Sequence, residues 1–244
     1  MSNIFYSCLV FTKKIFYLGI LQPQISAHTF YCFMEPSASV VIDLHYLPCL
    51  EYFVCLLKYD VVYLEACEHF QKQSYRNRCK ILTANKVATL SVPVYNSNSK
   101  QSIREVQIDY AQKWLTDHWR TIASAYGKSA YFAHYAGFFE EVYLRKYKFL
   151  FDLNFELLTA CLSLLKINKK IELTSSYKNY TEKGSDDLRS MIHPKRTEGE
   201  YYIYRPIPYM QNFGNNFVSN LSIIDVLFCE GPYAANIIRQ SLIE

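Results

Sequence analysis

Residues able to do chemistry gather in one short basic span of this 244-residue chain. From His69 to Arg104 there are seven cations, Lys72, Arg76, Arg78, Lys80, Lys86, Lys100 and Arg104, and no Asp or Glu. Read as a strand over 75–82, the alternation of side chains puts Arg76, Arg78 and Lys80 on one face. Such a comb suits phosphate or carboxylate, because guanidinium offers a planar fork of donors to oxyanions. The same composition also suits a solvated sheet face, or ion pairs to Glu65 and Glu68, and composition alone leans that way. Asn77 falls on the opposite face, among Tyr75, Cys79 and Ile81. An amide there needs partners, in the backbone or in a ligand.

His45 follows the β-rich run 40–44. In parallel α/β sheets ligands bind beyond the carboxyl ends of the strands, so His45 is placed to act as a general base or donor. The alternative is a turn histidine packed on Pro48. His118 falls in a helical stretch beside Trp114 and Trp119, where a core or edge position is the plainer reading. Cys49 follows Pro48 at a helix start, where the dipole lowers a thiol pKa, although a buried inert thiol is the default. Ser175 and Ser176, after a strand at 171–174, can offer hydroxyls to an anion. No histidine pair has H-x-x-x-H or H-E-x-x-H spacing, so no metal site is expected. No particular cofactor is indicated.

Glycine is scarce, with 7 in the chain and none over 20–126. No two glycines lie closer than ten residues. Neither G-x-G-x-x-G nor G-x-x-x-x-G-K-[ST] can therefore be written. A phosphorylated ligand, if bound, must be held mostly by side chains. The net charge of +4 is too mild to point to nucleic acid. The eight cysteines form no C-x-x-C pair and read as reduced thiols packed as small hydrophobes in a cytoplasmic protein.

The elements that position these residues follow from periodicity. A strand over 40–44, a helix carrying Leu50, Phe53, Val54 and Leu57, and a strand over 61–64 make a βαβ unit, hence a parallel pair. Further strands are expected over 75–82 and 88–94, with 103–108 as a hairpin partner across the 96–99 loop. Helices follow, one marked by Leu115, Trp119, Ile122 and Tyr126 and ended by Gly127, the next capped by Ser129, and another over 149–165. Residues 177–199 read as an exposed connection with little secondary structure, of a length suited to a lid or binding loop. Ser222 and Asp225 resemble a capping pair, with Gly231 as stop and Pro232 opening the last helix. The fold class is α/β, a single domain over 40–244 with a mixed, partly parallel sheet flanked by helices and a helix-rich second half. Residues 1–33 read as an extension outside that fold, with Met34 as a natural start. The apolar run 15–21 is too short for a stable membrane span.

Several motifs are recognisable together. His45-Tyr46-Leu47-Pro48 with Glu51-Tyr52-Phe53, then Gln71 to Ile81 with its Arg76-Asn77-Arg78, then Leu90-Ser91-Val92-Pro93-Val94 resemble the WbqC-like protein family. Trp114, His118-Trp119-Arg120 and Asn220-Leu221-Ser222-Ile223-Ile224-Asp225 continue the likeness to the C-terminus. Cys229 departs from the asparagine expected there. The resemblance implies a cytoplasmic, transferase-like enzyme that modifies an activated sugar in O-antigen or surface-glycan synthesis. Lys72, Arg76 and Arg78, with His118 and Ser175, would bind a nucleotide-sugar or other anionic small molecule, Asn77 would orient it and His45 would handle a proton. The alternative is a non-catalytic assembly protein that docks a partner through 69–104. Convergence of His45, Asn77, Arg78 and His118 on one pocket would favour the enzyme.

Overall fold

Val40, Val41 and Ile42 are fully buried, as a strand covered on both faces requires. They form β1 (Ser39–Asp43) of a computed structural model that describes residues 38–95, 101–178, 184–196, 201 and 203–243. The 1–33 extension, Cys8 and Cys32, and the 96–99 loop lie outside the described residues. Helix α1 (Leu50–Lys58) and β2 (Val61–Glu65) complete the expected βαβ unit, with β1 and β2 parallel and Asp43 opposite Glu65. The hairpin strands β3 (Arg78–Leu82) and β4 (Val87–Ser91) form a separate antiparallel pair. The helices are α2 (Trp114–Tyr126), α3 (Phe132–Leu144) and α4 (Leu150–Leu164). Strands β5 (Lys170–Leu173) and β6 (Ser185–Asp187) then join the first sheet, before α5 (Ile223–Glu230) and α6 (Ala234–Gln240). The sheet order is β5-β2-β1-β6, with every neighbour parallel. The result is an α/β fold with a mixed sheet content and its helices concentrated in the second half.

Several expectations need correction. Residues 75–77 are not strand, because Arg76 turns inward to buried carboxylates and the Asn77 amide donates to the Val92 carbonyl at 2.9 Å. The comb is therefore split, with only Arg78 and Lys80 on the partly exposed face of β3. Residues 103–108 do not extend β4. They hold a 3-10 turn at Ile103–Glu105 and meet Val94 in one isolated bridge, since β4 already pairs with β3. The stretch 177–199 carries one short strand among the described residues, β6, whose backbone completes the edge beside β1.

Ser129 does not cap α3; Tyr131 occupies the position before it, and the Ser129 hydroxyl donates back to the Tyr126 carbonyl. Ser222 sits at the start of α5 without a side-chain cap. Its hydroxyl donates to the Leu47 carbonyl at 2.9 Å, and Asp225 accepts from tertiary partners instead. Burial of both side chains lets tertiary hydrogen bonds outcompete the local cap. Gly231 does end α5, at φ +56, and a Cβ there would lie 2.4 Å from the Tyr131 ring. Pro232 opens a 3-10 turn, Gly231–Tyr233, ahead of α6.

Candidate functional site

The carboxyl ends of all four parallel strands converge on a buried cluster of charge. Asp43 ends β1, Glu65 ends β2, Thr174 follows β5, and Asp187, Arg189 and Ser190 end or follow β6. Arg76 enters from the 74–77 turn and is 1% exposed. Its Nε and Nη2 donate to the two oxygens of Glu68 at 2.7 and 2.6 Å, while Nη1 lies 3.1 Å from Asp43 Oδ2. Ser190, held at φ +60, donates its backbone N–H to Asp43 Oδ1 at 2.7 Å. On the neighbouring strand Arg189 pairs with Glu65 at 2.7 Å, and the Thr174 hydroxyl donates to Glu65 at 2.6 Å.

His45 joins this cluster through a 2.8 Å bond between Nε2 and Asp43 Oδ2. Leu47, at φ +41, turns the chain beyond it. The His45 ring is flanked by Tyr52 and Tyr75, at 4.9 and 5.6 Å between centroids. The His45 Nδ1 and the Tyr52 hydroxyl are both buried and have no hydrogen-bond partner. Buried polar groups are paired in the great majority of cases, so two neighbouring orphans mark a place where a proton acceptor and a donor are held ready. Burial works against charge on Asp43, yet His45, Arg76 and the Ser190 amide hold its carboxyl well below the usual range. Asp43 is thus a fixed anion that orients the imidazole.

Tyr75 separates His45 from a cleft of about 200 Å³. Lys80, His193, Arg196, Tyr201 and Asn220 also line it. The strand pairing of β3 carries Lys80 to this wall, and the Lys80 carbonyl accepts from the Ser222 N–H at 2.8 Å. Asn220, at φ +53, accepts from the Glu51 N–H and donates to the Glu51 carboxylate, which also pairs with Arg196 at 3.0 Å. Burial lowers the His193 pKa, and nearby Lys195 and Arg76 lower it further. His193 Nδ1 accepts the Lys195 N–H at 3.2 Å, which in the neutral ring leaves Nε2–H as a donor toward a ligand.

The residues singled out by type fall into separate groups. His45 and Arg76 meet in the buried cluster. Asn77, Arg78 and His118 lie instead around the end of β4, where Asn77 bonds Val92, Arg78 is in register with Ser91, and the His118 ring bonds the Ser91 backbone. His118 also bonds the Tyr46 hydroxyl at 2.9 Å and packs on Trp114. None of these three lines the cleft, so the four-residue convergence is not what the fold builds. Lys72 borders a second crevice, and Ser175 is exposed just past Thr174. Cys49 does not carry the lowered thiol pKa expected of a helix start. Burial and Glu51 push it up to about 12, because desolvation outweighs the dipole.

Asp43, Glu68, Arg189, His193 and Arg196 were not singled out by residue type. The available signal was positional: each follows or faces a strand end, the place where parallel sheets hold ligands. Among the described residues no group of three or more His, Cys, Asp or Glu is arranged to hold a metal ion, and no helix is long and apolar enough to cross a membrane.

A strand-end cleft backed by buried ionisable groups is the form of ligand site that open parallel sheets provide. The chain belongs to the WbqC-like protein family, whose model matches residues 44–203 and 193–237. It is similar to uncharacterized protein Rv1507c of Mycobacterium tuberculosis, with 30% identity over 139 residues. That match covers 56% of this chain and 60% of the relative, so it spans less than two thirds of the relative's length. No solved structure matches.

Proposed function

We propose that the protein is a cytoplasmic transferase that acts on an activated, phosphate-bearing sugar of surface-glycan synthesis. The observation that carries this reading is the Asp43–His45 pair, with its unpartnered Nδ1, one aromatic ring behind a cleft that presents Lys80, His193 and Arg196. The family resemblance supplies the sugar, and the three cleft side chains supply what glycine-rich backbone supplies elsewhere, donors and positive charge for phosphate oxygens. In the transfer, an acceptor hydroxyl or amine attacks the sugar-derived group and the bond to the phosphate leaving group breaks. The acceptor's proton passes to His45 Nδ1 once the Tyr75 ring moves aside, since His45 is fully buried behind it, and Lys80 and Arg196 carry the charge that develops on the departing phosphate.

The test is a thermal-shift screen against nucleotide sugars, repeated with Lys80→Ala and His193→Asn. A ligand at about 100 times its Kd adds roughly 2.7 kcal/mol of apparent stability. Stabilisation of the wild type that both variants reduce supports the reading. Absence of a shift with every nucleotide sugar favours the assembly alternative.

A further inference from the structure

The route from the cleft to His45 passes through one side chain. Tyr75 lines the cleft, and its ring also lies against His45, 5.6 Å between centroids. Tyr52 packs on the same imidazole at 4.9 Å but takes no part in the cleft wall. His45 is 0% exposed, so with the Tyr75 ring in place nothing dissolved in the cleft touches its Nδ1.

The backbone that carries Tyr75 is tied on both sides, while its hydroxyl is not. The Tyr75 carbonyl accepts the Tyr46 N–H at 2.9 Å. The Ser74 hydroxyl donates to the Gln71 carbonyl and accepts the Arg76 N–H, and the Arg76 side chain is locked in its ion pairs. Among the described residues no group hydrogen-bonds the Tyr75 hydroxyl, although the residue is 7% exposed. The hydroxyls of Tyr46, Tyr126 and Tyr209 are all bonded, as is usual for a buried phenol. Burial raises the Tyr75 pKa, so the phenol keeps its proton and is a donor with nothing to donate to. Glu51 and Tyr201, which line the cleft, are among the groups that raise it further, and this places the phenol on the cleft side.

We propose that Tyr75 is a ligand-driven gate: its ring seals His45 from the empty cleft, and a phosphate held by Lys80 and Arg196 accepts the phenol hydrogen and draws the ring off the imidazole. The assignment rests on the donor reading of the cleft and adds how a buried base reaches its substrate. A ligand shifts a conformational equilibrium only through interactions that differ between the two states. Here the difference is one charge-assisted hydrogen bond, made when the ring has turned toward the phosphate. With the backbone tied, the movement is a rotation between side-chain rotamers, and the cleft, of about 200 Å³, gives the ring room to turn. The base is then shielded from water until the donor is in place, which favours transfer over hydrolysis of the activated sugar.

The test reads the His45 ring directly, by exchange of its C2 hydrogen in deuterium oxide, resolved for each histidine by mass spectrometry, with inorganic pyrophosphate as the probe. In the ligand-free protein His45 should exchange as slowly as buried His118 and far more slowly than exposed His69. A hydrogen bond to a charged group is worth roughly tenfold in an equilibrium, so saturating pyrophosphate should speed His45 exchange by about that factor and leave His118 unchanged. Tyr75→Ala should bring His45 toward the His69 rate without any ligand. Tyr75→Phe should keep the slow ligand-free rate and lose the acceleration. The Phe variant preserves the ring packing, so it decides the matter if Tyr75→Ala loosens the fold, which faster His118 exchange would reveal. Protection of His45 in Tyr75→Ala with His118 unchanged, or an acceleration that Tyr75→Phe retains in full, overturns the gate. A pyrophosphate thermal shift that Lys80→Ala removes, with His45 protected throughout, overturns the gate and leaves the donor reading standing. Fast exchange in Tyr75→Ala in a protein that binds no pyrophosphate overturns the donor reading and the phosphate trigger, and keeps the seal.

Discussion

Asp43 and Asp225 are both buried carboxylic acids, and their pKa values move in opposite directions. Burial raises both. At Asp43 the hydrogen-bonded His45 and the Arg76 guanidinium reverse that effect, whereas at Asp225 burial prevails over three donors, the hydroxyls of Tyr126 and Tyr209 and the Gln211 amide, at 2.7, 2.6 and 3.1 Å. The region around Asp225 and the Tyr143, Tyr46 and His118 chain is a polar interior in which Asp225, Tyr46, Tyr143 and His118 all have partners and hydrogen bonds join α2 to α3 and α5. The region around Asp43 is charged, shares each guanidinium between two acids, and leaves His45 Nδ1 and Tyr52 unpartnered. Beside His118 the Trp114 Nε1, Asn77 Oδ1 and Arg78 Nε are also buried without partners, so what sets the Asp43 region apart is shared charge behind a cleft.

The largest expected effect comes from removing the shared cation. Arg76→Met leaves Glu68 without either of its Arg76 bonds and Asp43 with only His45 and the Ser190 N–H, and should lower unfolding free energy by about 3–5 kcal/mol in urea titration. A loss below about 1 kcal/mol would mean that the charged region is no more strained than a surface pair.

One group from each region, His118 and Glu68, should also respond to acid with opposite signs. His118 is lowered from 6.5 to about 4, chiefly by burial, so the native state binds fewer protons than the unfolded chain between those values. Its contribution is complete above pH 6.5 and is lost as pH falls toward 4, amounting to about 3 kcal/mol. Glu68 is raised from 4.5 to about 7, so its contribution is present below pH 4.5 and is lost as pH rises toward 7. Stability profiles of His118→Gln and Glu68→Gln against wild type should diverge from it in opposite senses. Parallel profiles would contradict the opposite effects of burial on a histidine and a carboxyl.

A smaller effect is expected at Asp225→Asn, which keeps the shape but turns an acceptor into a donor facing hydroxyl and amide donors. The cost should be about 1–3 kcal/mol, below that of Arg76→Met. Last, Cys49 should resist alkylation in the folded protein at pH 8, because the raised pKa and 4% exposure leave little accessible thiolate. Fast labelling that precedes unfolding would return Cys49 to the list of nucleophiles.

Much of the fold was legible because its strongest signals are local. Strands β1 and β2 are β-branched runs, α1 and α2 show helical spacing, and the βαβ order dictates a parallel pair. Strand β6 escaped because Ser185-Asp186-Asp187 is three polar residues at a sheet edge, held by backbone pairing to β1 rather than by apolar content. The site was half legible. His45 followed from its place after β1, but Arg76 was assigned to a strand face because alternation cannot reveal a turn made by tertiary ion pairs. Glu68 had been weighed only as a possible pairing partner for the basic span, and that pairing is present at Arg76. Asp43 looked like part of a strand, and only the fold brings Ser190 and Arg76 to it from 147 and 33 positions along the chain.

The central claim is that the cleft beside the charged cluster, and not the His118–Tyr46–Tyr143 chain, is where ligand binds. The direct measurement is the thermal shift produced by a nucleotide sugar in wild type, Lys80→Ala and His118→Gln, each compared with its own ligand-free protein. A shift that falls in Lys80→Ala and persists in His118→Gln is the predicted result. A shift that persists in Lys80→Ala and disappears in His118→Gln would contradict it.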